Sequence, residues 1–197
     1  VVSAQRCPAC LLLRALCICG EITPVRTRTR VVILRHRDER LRASNTGRIA
    51  AMALGNAELI DQERTRGTAV APVPLAGTWL LWPEGPPARA APKPRPKRLV
   101  LLDATWPHAR RMRRRLSWLH GLPVLSLPVA EMPRARLRAS PGPGRVSTIE
   151  AIARALRLLE GEGAATELER LFTILVARAR IAGRQVPSPG APSRRRS

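Results

Sequence analysis

An α/β fold with a mostly parallel sheet, covered by helices on both faces, is what the sequence predicts. Three observations carry this. Branched apolar runs recur at Val31-Val32-Ile33-Leu34, Leu99-Val100-Leu101-Leu102 and Val124-Leu125-Ser126-Leu127, continuous rather than alternating, as strands buried on both faces are. Segments of helical periodicity alternate with them, the order that builds parallel crossovers. Finally, 45% hydrophobic residues over 197 positions suffice for one buried core.

The chain opens on a cysteine cluster. Cys7, Cys10, Cys17 and Cys19 are spaced C-x2-C-x6-C-x-C, which predicts a small zinc knuckle over residues 1–24. Two short turns deliver four thiolates to one tetrahedral ion, and such a closed site braces a fold rather than catalysing. Two disulfides are an alternative, but the sulfurs of a Cys-x-Cys pair are poor mutual partners. An iron–sulfur cluster and free thiols are the other readings.

The catalytic body is expected over 25–184. The strand Val31–Leu34 empties into Arg35-His36-Arg37-Asp38-Glu39-Arg40. Ser44-Asn45-Thr46-Gly47 is a polar cap ahead of a helix ended by Gly55. The cap either satisfies the helix's own N–H groups or offers them to a ligand, which Gly47 would let approach closely. Ala57 to Ile60 reads as a short strand and Thr78-Trp79-Leu80-Leu81-Trp82 as a better one. Pro83 to Arg98 is Pro-rich, basic and exposed.

The strand Leu99–Leu102 runs straight into Asp103-Ala104-Thr105-Trp106, and Pro107 then pre-sets φ for a helical turn. A carboxylate, a hydroxyl and an indole thus arrive at the carboxyl end of a core strand, the edge where open α/β sheets bind ligands. The competing reading is that Asp103 or Thr105 merely caps the helix. That helix, Pro107 to His120, repeats Ala109, Met112, Leu116 and Leu119 on one face, with Arg110, Arg111, Arg113, Arg114 and Arg115 around the rest. After the strand at Val124, a Pro/Gly/Arg loop leads to Ser147-Thr148-Ile149-Glu150, a capping box. Its N–H groups serve the helix alone or also hold an anion such as an amino-acid carboxylate. A last helix, Ala165 to Ala182, aligns Leu168, Leu171, Phe172, Leu175 and Val176, and residues 185–197 read as a disordered basic tail. His36, His108 and His120 are not spaced as metal ligands and read as polar surface residues.

Lys and Arg number 35 against 14 Asp and Glu, a net charge of +21. Such a surface attracts polyanions, nucleic acid first and anionic membrane second. Aromatics are 3%, without Tyr, so phosphate contacts should outweigh base stacking. Five Arg between 110 and 115 repel one another with no acid among them, which favours a polyanion contact over a solvated face. GC-rich coding is a second source of Arg. No apolar run approaches the ~20 residues that span a bilayer. Val1 to Arg6 lack the features of a secretion signal, so a cytoplasmic location is expected. G-x-S-x-G, Walker A, H-E-x-x-H and G-x-G-x-x-G do not occur, which leaves Ser-His-Asp hydrolysis and pyrophosphate-anchored nucleotides without support.

The four-cysteine cluster, Asn45-Thr46-Gly47-Arg48, Asp103-Ala104-Thr105-Trp106 and Ser147-Thr148-Ile149-Glu150-Ala151 occur in that order. Together they resemble the DTW-domain family of tRNA-uridine aminocarboxypropyltransferases, from about Cys7 to about Leu175. The family's name tetrad falls on Asp103, Thr105 and Trp106. Two departures stand out. Arg37 occupies the Pro position of a His-Pro-x-Glu element that His36 and Glu39 otherwise fit, and Pro133 to Arg138 lack a family Tyr. The resemblance implies S-adenosylmethionine as donor and a SPOUT-like fold with a C-terminal trefoil knot. It implies transfer of the 3-amino-3-carboxypropyl group to N3 of a uridine in tRNA, releasing 5′-methylthioadenosine.

On that reading Asp103 is catalytic: it accepts or orients the N3 proton, or else holds the donor's ammonium. Thr105, Trp106, Leu81, Pro83, Leu125, Leu127, Ser147, Thr148 and Glu150 form the donor's site. Asn45, Arg48, Arg110, Arg111, Arg113 and Arg114 meet RNA, and zinc sits on Cys7, Cys10, Cys17 and Cys19. A SPOUT-like RNA methyltransferase, a non-catalytic zinc-containing RNA-binding protein, and ribosomal RNA as the acceptor are the alternatives.

Overall fold

The structure, a computed structural model, describes residues 5–62, 71–129 and 146–181. Strands β1 (Arg30–His36), β2 (Glu58–Gln62), β3 (Thr78–Leu81), β4 (Arg98–Asp103) and β5 (Val124–Leu125) form one sheet in the order β2-β1-β4-β3-β5. All four pairings are parallel. The α/β expectation therefore holds, and among the described residues the sheet is wholly parallel.

Period-2 alternation sorts the strand side chains into two cores. Val31, Ile33, Leu99 and Leu101 face helices α1 (Thr46–Ala53), α3 (Thr148–Glu160) and α4 (Glu162–Ile181), meeting Ile49, Ile152, Leu156, Leu168 and Leu175. Val32, Leu34, Leu80 and Val100 face the opposite side, where α2 (Trp106–Arg115) buries Ala109 and Met112. The strands are apolar throughout because both faces are covered. Residues 35 and 103 fall on the α1/α3 side by the same alternation, and Arg35 lies in register with Asp61 on one side and Asp103 on the other.

The N-terminal segment shares this core. Cys10 and Ile18 are buried in the cluster that holds α1 and α4, and the Arg178 guanidinium on α4 donates to the Cys17 carbonyl and to Glu21.

Several boundaries differ from the sequence reading. Helix α2 stops at Arg115 instead of His120: Leu116 leaves helical dihedrals (φ −89°, ψ 86°) and Ser117–Leu119 form one 3-10 turn. Leu116 and Leu119 nonetheless stay buried, so the apolar spacing continues through a break in the helix. Strand β2 is shifted onto Glu58–Gln62, half-buried along its length, as an edge strand allows polar residues to be. Strand β5 is only two residues long, with Ser126 bridging to Pro87 beyond it. Helix α4 begins at Glu162, three residues earlier than the apolar pattern suggests. The Pro133–Arg138 segment and the tail 185–197 lie outside the described residues. Among the described residues, no helix is long and apolar enough to cross a membrane.

Candidate active site

Asp103 ends β4 and is 4% exposed. Its Oδ2 accepts a hydrogen bond from Asn45 Nδ2 at 2.5 Å and its Oδ1 one from the Thr148 hydroxyl at 2.6 Å. Asn45 is the N-cap of α1, its Oδ1 accepting from the Arg48 amide at 2.8 Å. Thr148 is the first residue of α3, and the Ser147 capping box is formed in full. One carboxylate thus ties the N-termini of two helices to the carboxyl end of the central sheet. Burial pushes its pKa up, against the two hydrogen bonds and Arg35, which pull it down. The backbone approaches too: a Cβ at Gly47 would lie 2.6 Å from Asp103 Oδ2. The partner that Gly47 admits is the chain's own carboxylate. Thr105 holds the N-cap position of α2 without a side-chain capping bond, so neither Asp103 nor Thr105 caps that helix through its side chain.

Beside this clamp a cavity of about 170 Å³ opens at the carboxyl edge of the sheet. Leu81, Pro83, Trp106, Leu127, Ser147 and Thr148, all expected at the donor's site, line it. Thr105, Leu125, Glu150 and Asp103 do not. Leu125 is fully within the core, and the Glu150 carboxylate turns back to accept from the Ser147 amide at 2.8 Å and hydroxyl at 2.7 Å. Thr148 is the residue that both lines the cavity and touches Asp103.

Of the lining residues not expected at the site, Trp82 and Arg154 matter most chemically. Trp82 follows β3, and its ring lies 5.8 Å from that of Trp106 at 59°, making one indole wall of two. The signal was available, because Trp82 leaves its strand at the same sheet edge as the Asp103 tetrad. Arg154 reaches the cavity from the second turn of α3.

The residues expected at an RNA surface divide. Arg110, Arg111 and Arg114 are exposed on α2. Arg113 is held inward, paired with Glu84 at 2.9 Å and stacked over the Trp82 ring at 4.9 Å. Asn45 is 2% exposed, and Arg48 is half-buried, its guanidinium donating to the carbonyls of Ala9 and Arg40. Asn45 therefore stands inside the fold, because the cap it forms is the one that binds Asp103, whereas Arg48 keeps part of its side chain at the surface. The histidines differ from expectation as well. His36 and His108 stack with centroids 4.2 Å apart beside Asp38, since the end of β1 and the first turn of α2 meet at one edge. Burial and the neighbouring His108 hold the His36 pKa down.

The four cysteines converge, with all ligand atoms within 4.8 Å of one another and no disulfide among them. Cys7 and Cys19 sulfurs are 3.6 Å apart, Cys10 and Cys17 sulfurs 3.7 Å. A tetrahedral ion with metal–sulfur bonds of about 2.3 Å needs sulfur–sulfur edges of about 3.8 Å, so the set fits a metal. The Cys10 backbone amide holds the Cys7 thiol down to about 6, whereas burial pushes Cys10 and Cys19 up. The donor set is of cysteine sulfurs only, so a metal held there would pin residues 7–19 together beneath α4 rather than catalyse.

Fold and site together define a parallel α/β domain with a cavity at the carboxyl edge of its sheet and a four-cysteine cluster near its N-terminus. The chain belongs to the DTW domain family, whose model matches residues 4–180. Among solved structures it is similar to the SAM-dependent rRNA:acp-transferase Tsr3 from Vulcanisaeta distributa, at 22% identity, 80% coverage of each chain and a TM-score of 0.48.

Proposed function

We propose that this protein transfers the 3-amino-3-carboxypropyl group of S-adenosylmethionine to N3 of a uridine in tRNA. One observation carries the reading. The Asp103 carboxylate of the family tetrad contacts, through Thr148, a cavity walled by two indoles. Family membership supports the same chemistry. The finer expectations of a SPOUT-like knotted C-terminal region, zinc on the four cysteines and a cytoplasmic location belong to this proposal.

The reaction joins uridine N3 to the γ-methylene of the donor arm and breaks the bond from that carbon to sulfur. The sulfonium takes the electron pair and leaves as 5′-methylthioadenosine, and N3 gives up its proton. A sulfonium is already a good leaving group, so the protein's contribution is alignment and a destination for the proton. Because Asp103 does not line the cavity, the proton reaches it by way of the Thr148 hydroxyl, which accepts from N3–H while donating to Oδ1. The upward shift from burial makes Asp103 a better acceptor than an exposed aspartate. The Trp82 and Trp106 rings offer π faces to the sulfonium, a contact worth about 0.5–2 kcal/mol. The exposed Arg110, Arg111 and Arg114 meet tRNA phosphates.

The test incubates the full chain with tRNA and S-adenosylmethionine carrying isotope in the aminocarboxypropyl carbons, followed by nucleoside mass spectrometry. Uridine bearing the labelled group is the expected product. A methylated nucleoside, or donor binding without transfer to any RNA, overturns the proposal. Transfer to ribosomal RNA alone overturns the choice of acceptor.

A further inference from the structure

Arg154 is the one charged side chain among the described residues that line the cavity. Ser147, Ala151 and Arg154 follow at spacings of four and three along α3 and present one helical face to it. The Arg154 guanidinium is half-buried, and Nη2 donates to the Pro128 carbonyl at the same rim. Among the described residues it makes no ion pair, because the Glu150 carboxylate one turn earlier is turned toward Ser147. Burial disfavours its charge. A partly desolvated guanidinium without a carboxylate partner among the described residues, facing a cavity whose other described lining side chains are neutral and largely apolar, is matched by an anionic group on the ligand.

We infer that Arg154 holds the α-carboxylate of the donor's amino-acid arm, and so selects S-adenosylmethionine over adenosyl compounds that lack this group. The inference rests on the cavity being the donor site. The planar fork of an arginine pairs with a carboxylate through two parallel hydrogen bonds, a geometry lysine cannot reproduce. The two sides of the cavity divide the ligand. Indoles and aliphatic side chains on the α2 side suit the adenosine and sulfonium, and the α3 side, with Ser147, Thr148 and Arg154, suits the polar arm. Holding the arm by its far end fixes the γ-methylene between them. Arg154 is thus a positioning residue for the attack as well as a selectivity contact.

Calorimetric titration of the full chain with three ligands tests this: S-adenosylmethionine, its decarboxylated form and 5′-methylthioadenosine. Wild type should prefer S-adenosylmethionine to the decarboxylated form by roughly 10–100-fold, the range of a hydrogen-bonded charge. R154Q should erase that preference while binding 5′-methylthioadenosine as wild type does, which also reports that the variant is folded. R154K should recover only part of it. Equal weakening for all three ligands, or an unchanged preference in R154Q, overturns the role of Arg154 while leaving the donor site standing. Wild type binding none of the three overturns the donor site and this inference with it. Should R154Q fail to fold, the wild-type ratio decides: near-equal affinity for the two sulfonium compounds overturns the inference.

Discussion

Gly47 lies so close to Asp103 that a β-carbon at residue 47 would stand 2.6 Å from Oδ2 and 2.8 Å from Cγ. Helix α1 can dock its N-terminus on the end of β4 only because that position has no side chain. The glycine, the Asn45 cap and the carboxylate form one joint.

G47A should therefore push Asp103 out of its two hydrogen bonds or move α1 off the sheet. Overpacking of this kind costs about 1–3 kcal/mol. Urea denaturation measures it, and transfer activity should fall with stability. Gly55 is the control: the nearest atom to a Cβ there is the Val25 carbonyl oxygen at 3.7 Å, so G55A should fold and function as wild type. Equal stability of G47A and wild type would mean that the joint gives way without cost.

The buried carboxylate makes a second prediction, on pH. An unfolded aspartate titrates near ~3.9, and burial raises the pKa of Asp103 in the folded protein. Below the unfolded value both states hold the proton and the group is neutral to folding. As pH rises from there toward the folded value, the unfolded chain releases its proton first and stability falls. Above the folded value the loss is constant. D103N keeps an amide that can meet both Asn45 and Thr148, without the charge. Wild type should thus lose stability relative to D103N as pH rises through that window, with transfer reduced roughly 10²–10⁴-fold in the variant. A difference that grows in the opposite direction would show that the ionised form is the favoured one.

The parts of this molecule that were legible in the sequence are those set by local pattern. Strands β1 and β4 stand out because central strands of a parallel sheet are apolar on both faces. The Ser147 box and the Asn45 cap stand out because capping is written in four residues. Edge strand β2 is different, since Glu58, Asp61 and Gln62 lie where solvent reaches. The alliance of Asn45, Asp103 and Thr148 was hidden for another reason. Each motif was visible, but which motif faces which depends on the sheet order, and β1 and β4 become neighbours only through the crossover. The His36–His108 stack was invisible on the same ground. Trp82 was legible, because the edge argument that marks Trp106 marks it equally.

Zinc should be recoverable from the purified chain at about one ion per molecule, the stoichiometry of a four-thiolate site. Elemental analysis measures it. C10S should lose the ion, and because Cys10 and Ile18 share the core of α1 and α4, the loss should reach the body of the fold. A loss of roughly 3 kcal/mol lowers Tm by about 6–12 °C in a chain of this size. Wild type free of metal with an unaltered Tm after chelation would make the cluster four ordinary thiols.

Arg110, Arg111 and Arg113 are neighbours in sequence and should nonetheless behave differently toward RNA. Arg110 and Arg111 are exposed, whereas Arg113 is bound to Glu84 and lies over Trp82. A phosphate contact releases counterions, so removing one flattens the dependence of log affinity on log salt by about 0.7–0.9. The pair R110A/R111A should therefore weaken tRNA binding and lower the slope by up to twice that amount, with donor binding intact. R113A should leave the slope near wild type, because its charge is already neutralised within the fold. It should instead weaken donor binding, since the guanidinium that steadies the Trp82 wall is gone. Salt-dependent binding curves for the two variants separate these outcomes, and the same slope change in both would place Arg113 on the RNA surface after all.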